Sequence, residues 1–206
     1  MTQPPVRRRR KQDRPSEILS AALALFAEKG FAATRMEDVA ARAGVSKGTV
    51  FLYFPSKEEL FRAVVRHDLL PVLEAAEALV ATHQGSAAEL LRLLAGRLGA
   101  VLASDLAAIP KLVLAESGNF PSIARFYAEE VVQRGVALME SVLARGMASG
   151  EFRQLPPRAV LPSLFGPLLM LALWRFSLSR HSQAVSFNPK EVMATHLDLI
   201  LRGLET

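Results

Sequence analysis

Cysteine is absent from all 206 residues. That excludes a disulfide scaffold, a thiolate zinc site and a cysteine nucleophile, and it fits a reducing compartment, here the cytoplasm. Long hydrophobic runs are also missing. The longest, Leu161 to Trp174, carries Ser163, Pro162 and Pro167 and falls short of the ~18 residues of a membrane span. The N-terminus is basic with no apolar stretch behind it, so no secretory signal is expected. The histidines, His67, His83, His181 and His196, never take the H-E-x-x-H spacing of a zinc enzyme. No Walker A loop or dinucleotide fingerprint occurs. The carboxylate pairs Glu58-Glu59 and Glu129-Glu130 are adjacent in sequence, so on a helix they diverge and read as solvated faces rather than acid/base dyads. No metal, cofactor or catalytic residue is expected, and the chain does not read as an enzyme.

What is present is apolar mass and an uneven charge. Half of the residues are hydrophobic and 22% are charged, enough for a sizeable core in one or two domains and too little charge for wholesale disorder. Residues 1–57 hold 11 Lys+Arg against 5 Asp+Glu, whereas residues 58–206 hold 14 against 15. The formal surplus of +5 therefore comes from the first quarter of the chain. A polyanion-binding head on a roughly neutral body is the implied organisation.

Helical spacing runs throughout, and no credible strand is found. Residues 1–14, with Arg7, Arg8, Arg9, Arg10 and Lys11 in a row, read as a disordered basic arm. A first helix is expected from about Pro15, with Ile18, Leu19, Ala22, Leu25 and Phe26 on one face and Gly30 as its C-cap. Thr34 and Glu37 suggest a capping box for a second, short helix. Gly44 breaks that helix, Ser46 caps a third from about Lys47 to Phe54, and Pro55 stops it. Ser56 and Glu59 suggest another capping box for a fourth helix, which Pro71 is expected to kink or interrupt. Further helices are expected at 87–104, 105–117, 121–149, 157–180 and from Asn188 onward. The fold class is all-α, about nine helices: a three-helix head over 15–57 and a helical body over 58–206.

The two short helices joined by a glycine turn, within 35–54, fit a helix-turn-helix. The first must lie across the DNA backbone. The second must present small and polar residues at its N-terminal end to enter the major groove. That end reads Ser46, Lys47, Gly48, Thr49. Gly48 removes a side chain where backbone approaches DNA, Lys47 supplies charge, and Ser46 and Thr49 supply hydroxyls. Val50 and Phe54 face inward.

From Ile18 to Val64 the chain resembles the DNA-binding domain of the TetR family (TetR/AcrR type) of bacterial transcriptional regulators. The resemblance rests on Ala43-Gly44-Val45-Ser46-Lys47-Gly48-Thr49-Val50 and Phe54-Pro55-Ser56-Lys57-Glu58-Glu59-Leu60. It covers about a quarter of the chain, the family domain taken as about 12–72. The body resembles the family only in length, helix count and the closing Leu201-Arg202-Gly203-Leu204. By position, the resemblance implies that Thr34 and Lys57 touch phosphates and that Lys47, Gly48 and Thr49 sit at base edges or adjacent phosphates. Phe51 stands where the family usually has tyrosine, so one phosphate hydrogen bond is lost. A thymine methyl contact or simple packing is left for it. Tyr53, where the family often has histidine, is expected to restore a polar backbone contact.

The resemblance implies a homodimeric, effector-responsive repressor that reads a pseudo-palindromic double-stranded DNA operator. The effector is a small molecule that the sequence does not identify. Its candidate contacts are His67, Phe120, Phe126, Met139, Phe165, Met170 and Trp174; most of the aromatics and methionines read as core, with a few lining a pocket, and His67 reads first as a hydrogen-bonded structural histidine. Dimerisation is expected through 157–180 and 189–204. Met193, Leu197, Ile200 and Leu204 recur at i, i+4, i+7 and i+11 as a seam, and Gly166 and Ala172 permit close approach. The bland alternative is that both helices serve only the chain's own core. Two other classes compete. A non-sequence-specific nucleic-acid-binding protein would use the basic arm alone. A hydrolase would use Gly44-Val45-Ser46-Lys47-Gly48 as a G-x-S-x-G elbow, but that elbow needs a strand before it, and a helix is expected there.

Overall fold

The computed structural model describes residues 6–181 and 184–206. Among them the chain forms nine helical rods and no strand. The head holds α1 (Val6–Lys29), α2 (Met36–Arg42) and α3 (Lys47–Tyr53). The rod α4, residues 57–82, is Lys57–Val64, a π-turn Val65–Leu69 and Leu70–Thr82. The body continues with α5 (Ala87–Ala103) and α6, residues 105–116, whose first turn Asp105–Ala107 is 3₁₀. Then come α7 (residues 121–149, with a π-turn Ala128–Val132), α8 (residues 157–181, with a π-turn Trp174–Leu178) and α9 (Pro189–Leu204).

Local chemistry accounts for most boundaries. Gly30, Gly44 and Gly150 have positive φ and terminate α1, α2 and α7 in the left-handed region that favours glycine. Ser46, Ser56, Ser86 and Asn188 each accept a backbone N–H at the start of α3, α4, α5 and α9. The π-turn Val65–Leu69 lies directly ahead of Pro71. Proline lacks the N–H and its ring crowds the carbonyl four residues back, so the extra residue in that turn lets the rod continue without a break.

Three expectations are corrected here. The backbone is helical from Val6, not from Pro15, so residues 6–14 are an extension of α1 rather than an irregular arm. Arginine, lysine and glutamine are good helix formers, and Pro15 costs one carbonyl partner without ending the rod. Thr34 does not cap α2. Arg35 occupies that position and makes no side-chain cap bond. The Thr34 hydroxyl is 1% exposed and donates to the Gly30 and Leu25 carbonyls at 2.7 and 3.3 Å. The left-handed turn at Gly30 leaves end-of-helix carbonyls without N–H partners, and a buried hydroxyl takes them in preference to a solvated N-terminus. Glu59 does not close the second capping box either. Ser56 accepts the Glu59 N–H at 3.1 Å, but the Glu59 carboxylate holds Arg62 at 2.5 Å.

One core joins head and body. Ile18, Leu25, Phe26, Phe31, Val39, Val50, Leu60, Phe61 and Val64 pack in the same cluster as Ile109, Leu112, Ile123 and Phe126. Phe26, Phe31 and Phe61 form a triangle with centroids 5.4 to 5.9 Å apart, and Phe31 meets Phe120 edge-on at 4.9 Å. Such pairs add ~0.5–1.5 kcal/mol each beyond area burial. The head is therefore seated on the body through α4 and the start of α7, not hung on a linker at residue 57.

A second core lies in the body, where Leu90, Leu91, Val142, Leu143, Phe152, Leu161, Leu201 and Leu204 meet. At Gly146 any Cβ would overlap the Phe152 ring, so glycine is what lets Phe152 lie against α7. Arg153 N–H donates to the Leu204 carbonyl at 2.8 Å, which pins the end of α9. Arg134 grips Glu77 through two hydrogen bonds of 2.9 and 2.6 Å and ties α7 to α4.

The proposed dimer seam turns inward. Met193 and Leu204 are buried, and Leu197 and Ile200 pack against the second core. Ala172 is 2% exposed. The amphipathic stripe of α9 is consumed by its own body because α5 and α8 both pack on that face. What faces out is different: Leu199 is 64% and Met170 46% exposed, with Ala159, Ser163 and Gly166 also exposed on α8. A Cβ at Gly166 would meet nothing within 4 Å. The stretch Pro157–Leu178 is 22 residues long, has a mean hydropathy of 1.6, and has only 17% of that window buried in the chain. By length and composition alone it is apolar enough to cross a membrane, which the broken run 161–174 does not suggest.

Candidate nucleic-acid interface

The α2–turn–α3 unit is held from beneath and free on top. Val50 is fully buried and anchors α3 to the first core. At 100° per residue, Gly48 and Leu52 lie nearly opposite Val50, with Lys47 and Phe51 on one flank and Thr49 on the other. Leu52 is 78% exposed, the most exposed large apolar side chain among the described residues, and Phe51 is 40% exposed. At Gly48 the nearest atom to an added Cβ is Ser46 Oγ at 3.9 Å, and its φ is not positive. The fold does not require glycine there.

The polar groups on this surface are pre-ordered. Ser46 Oγ accepts the Thr49 N–H at 3.1 Å and lies 2.8 Å from Thr49 Oγ1. Lys47 pairs with Glu37 of α2 at 2.5 Å and sits 5.7 Å from the Phe51 ring centroid. The hydrogen bond from Lys47 holds the Glu37 carboxyl below the usual carboxylate range. Arg42 grips Glu28 through bonds of 2.5 and 2.8 Å, and Lys29 holds Asp38 at 3.2 Å, so α1 and α2 are clamped together behind the reading helix. Exposed pairs of this kind hold geometry more than they add stability.

Two expected phosphate ligands are removed from the surface. Thr34 is buried and its hydroxyl is spent, as above. Lys57 Nζ donates to the carbonyls of Phe31, Ala32 and Thr34 at 2.8, 2.9 and 2.9 Å and lies 4.6 Å from the Phe31 centroid. All three ammonium hydrogens are used inside the protein. Burial pushes this ammonium below the ordinary lysine value, against the pull of Glu58 and Glu116. The physical reason for the correction is that the α1–α2 turn offers three carbonyls converging on one point, which a cation satisfies at once. Glu116 reinforces the same turn by accepting the Ala32 N–H at 3.1 Å. Arg35, exposed at the start of α2, stands beside the position Thr34 was expected to serve. The side chains of Arg7, Arg8, Arg9, Arg10 and Lys11 lie outside the described residues.

Tyr53, half-buried, lines an open groove of about 500 Å³ with Phe54, Pro55, Glu59, Ala63, Arg66 and His67. His67 Nδ1 lies 2.7 Å from Asp68 Oδ1. The other expected effector contacts are dispersed. Phe126 is in the first core and Phe120 packs against it. Met139 and Phe165 pack on the second core. Met170 is on the outer face, and Trp174 stacks edge-on with Phe187 at 5.0 Å. Sequence reasoning missed Leu52, Glu37 as the partner of Lys47, and half-buried Tyr127, whose phenol is pushed up to about 12 by desolvation. Only Leu52 left a signal: an apolar residue on the polar side of a short helix.

The G-x-S-x-G elbow has no scaffold among the described residues. The segment before Ser46 is α2, not a strand, and the Ser46 hydroxyl is bonded to Thr49.

Residues 18–64 match the model of the bacterial regulatory proteins of the tetR family. The chain is 46% identical over 66 residues to an uncharacterised HTH-type transcriptional regulator, YfiR, of Bacillus subtilis (strain 168), covering 32% of each. It is 29% identical over 163 residues to the fatty acid metabolism regulator protein of the same organism, covering 77% of this chain and 82% of that one. The match therefore spans about a third of the length of the first relative and most of the second. Among solved structures, a TetR-family regulator from Mesorhizobium loti superposes with a TM-score of 0.69 at 27% identity, covering 96% of this chain and 99% of that one.

Proposed function

We propose that this chain, which belongs to the TetR family of bacterial regulatory proteins, is a homodimeric transcriptional repressor in the cytoplasm that a small-molecule effector releases from its operator. The observation that carries the reading is the outer side of α3. It holds a glycine the fold does not need, a leucine exposed to 78%, and a lysine whose one ionic partner among the described residues, Glu37, is itself half exposed. A surface of that kind costs the free protein solvation and has a use only against a partner. Lys47, Gly48, Leu52 and Thr49 are the groove-facing set, with Arg35 and the Arg7–Lys11 segment on phosphates. The salt dependence of binding follows from those phosphate contacts.

The second copy covers the outer face of α8 and α9. The His196 ring donates to the Leu164 carbonyl, and α9 packs against α8. Leu199 on α9 and Ala159, Ser163 and Gly166 on α8 are all exposed. Small residues on α8 let a partner helix approach closely, and a twofold arrangement closes the apolar face completely. A copy of this chain fits better than lipid. Arg175 within the stretch is spent on the Leu102 and Ser104 carbonyls at 2.6 and 3.0 Å, which ties α8 to the body.

An effector shifts the equilibrium only if it binds the released form more tightly. Because one relative is a fatty acid metabolism regulator protein, fatty acids head the panel of candidates. The test is selection of duplexes from a random pool by the full chain, then footprinting and competition with that panel. One enriched pseudo-palindrome with a footprint confined to it supports the reading. Binding without enrichment converts the protein into a non-sequence-specific nucleic-acid-binding protein, and no binding at all overturns both.

A further inference from the structure

Leu52 has no polar group, yet it stands at the crest of the helix that faces DNA, 78% exposed. The other residue on that crest is Gly48, one turn earlier, where the nearest atom to an added Cβ is Ser46 Oγ at 3.9 Å, an ordinary contact. Helix side chains lean toward the N-terminus, so the Leu52 isobutyl group lies over the turn that holds Gly48, and nothing from Gly48 stands in its way. The glycine lets the backbone come close, and the leucine fills the space thus opened. On the floor of the major groove the one apolar group is the C5-methyl of thymine. The neighbouring Phe51 is less suited. It is more buried than Leu52, at 40% exposure, and Lys47 lies against its ring.

We propose that Leu52 is a specificity-determining residue that reads the thymine C5-methyl in each half-site through the gap left by Gly48. This rests on the reading of the chain as an operator-binding regulator and adds the base group it recognises. Leucine and a methyl group exclude water from each other, so the preference is for thymine over cytosine and over uracil alike. Discrimination against uracil isolates the methyl, because nothing else on the base changes.

The experiment uses the full chain and the operator selected from a random pool, with each thymine replaced singly by deoxyuridine. Dissociation constants are measured by fluorescence anisotropy for the wild type, Leu52→Ala, Leu52→Met and Phe51→Ala. Burial of one methyl corresponds to about a fourfold change in affinity. The wild type is expected to lose about fourfold at one thymine per half-site. Leu52→Ala should bind thymine and uracil there equally, while Leu52→Met and Phe51→Ala keep the preference. Leu52 touches no core, so a melting curve matching the wild type separates lost contact from lost fold. If the wild type ignores uracil at every position, or if Leu52→Ala keeps the preference, the inference is overturned while the regulator stands. If the selection returns no bound DNA, the regulator reading fails first and this assignment with it.

Discussion

Gly48 offers a perturbation whose two consequences have opposite sign. Replacing it with alanine adds a Cβ that meets only Ser46 Oγ at 3.9 Å, an ordinary contact. The residue is the second of α3 and has no positive φ. Glycine to alanine in a helix interior gains ~0.8–1 kcal/mol. In the first turn about half of that is expected, ~0.5 kcal/mol. For a domain of this size 1 kcal/mol moves Tm by ~2–4 °C, so the variant should melt ~1–2 °C higher than the wild type. Operator affinity should fall at the same time, because the new methyl holds the backbone away from the groove. A tenfold loss, about 1.4 kcal/mol, is expected for Gly48→Ala. Gly48→Glu brings bulk and a charge that the phosphates repel, and should lose at least about a hundredfold. Calorimetric melting and anisotropy titration at one fixed salt concentration read both effects on the same preparation. A Gly48→Ala protein that melts lower means that the glycine serves the fold. Both variants binding like the wild type while folded would show that α3 does not face DNA through this side, and the interface would have to be sought elsewhere.

Other outcomes follow from the same geometry. Lys57→Met removes three hydrogen bonds to backbone carbonyls. Charge-assisted bonds at a half-exposed site give a net loss of about 2–3 kcal/mol, seen as a Tm ~5–10 °C lower. The slope of log affinity against log salt should stay unchanged; a slope shallower by about 0.9 per subunit would restore Lys57 as a phosphate ligand. Leu199→Glu on the exposed face of α9 should give folded monomers in sedimentation at micromolar concentration. Leu197→Glu with Ile200→Glu should instead unfold the body, since both pack on its core; a helical monomer from that pair would return the seam to the dimer. His196 is held below the ordinary histidine value by burial. The unfolded chain therefore takes up the proton first, so stability is full above pH of about 6.5 and is lost as pH falls through the lowered folded value. Urea midpoints of His196→Gln should be flatter than those of the wild type over that window, and parallel curves would remove His196 as the titrating group.

By itself the sequence determined the rods and most of their ends, though not the start of α1 at Val6 or the cap of α2. Gly30, Gly44 and Gly150 mark terminations, and Ser46, Ser56 and Asn188 mark starts, because capping and left-handed φ depend on residues within one turn. The helix-turn-helix and the direction of Val50 were legible for the same reason. Period and capping are short-range, and the glycine–serine spacing is specific. Tertiary structure decided what the free ends of those side chains meet. Thr34 and Lys57 have the right residue types for a DNA surface, but carbonyls 23 to 26 residues away capture Lys57, and the Leu25 and Gly30 carbonyls capture Thr34. The stripe on α9 announced that a helix buries one side, and α5 and α8 decided that it buries it at home, leaving Leu199 and Met170 outside. An amphipathic pattern is a property of one helix, whereas the choice of what covers it is a competition among all the apolar faces of the chain, settled only when they pack.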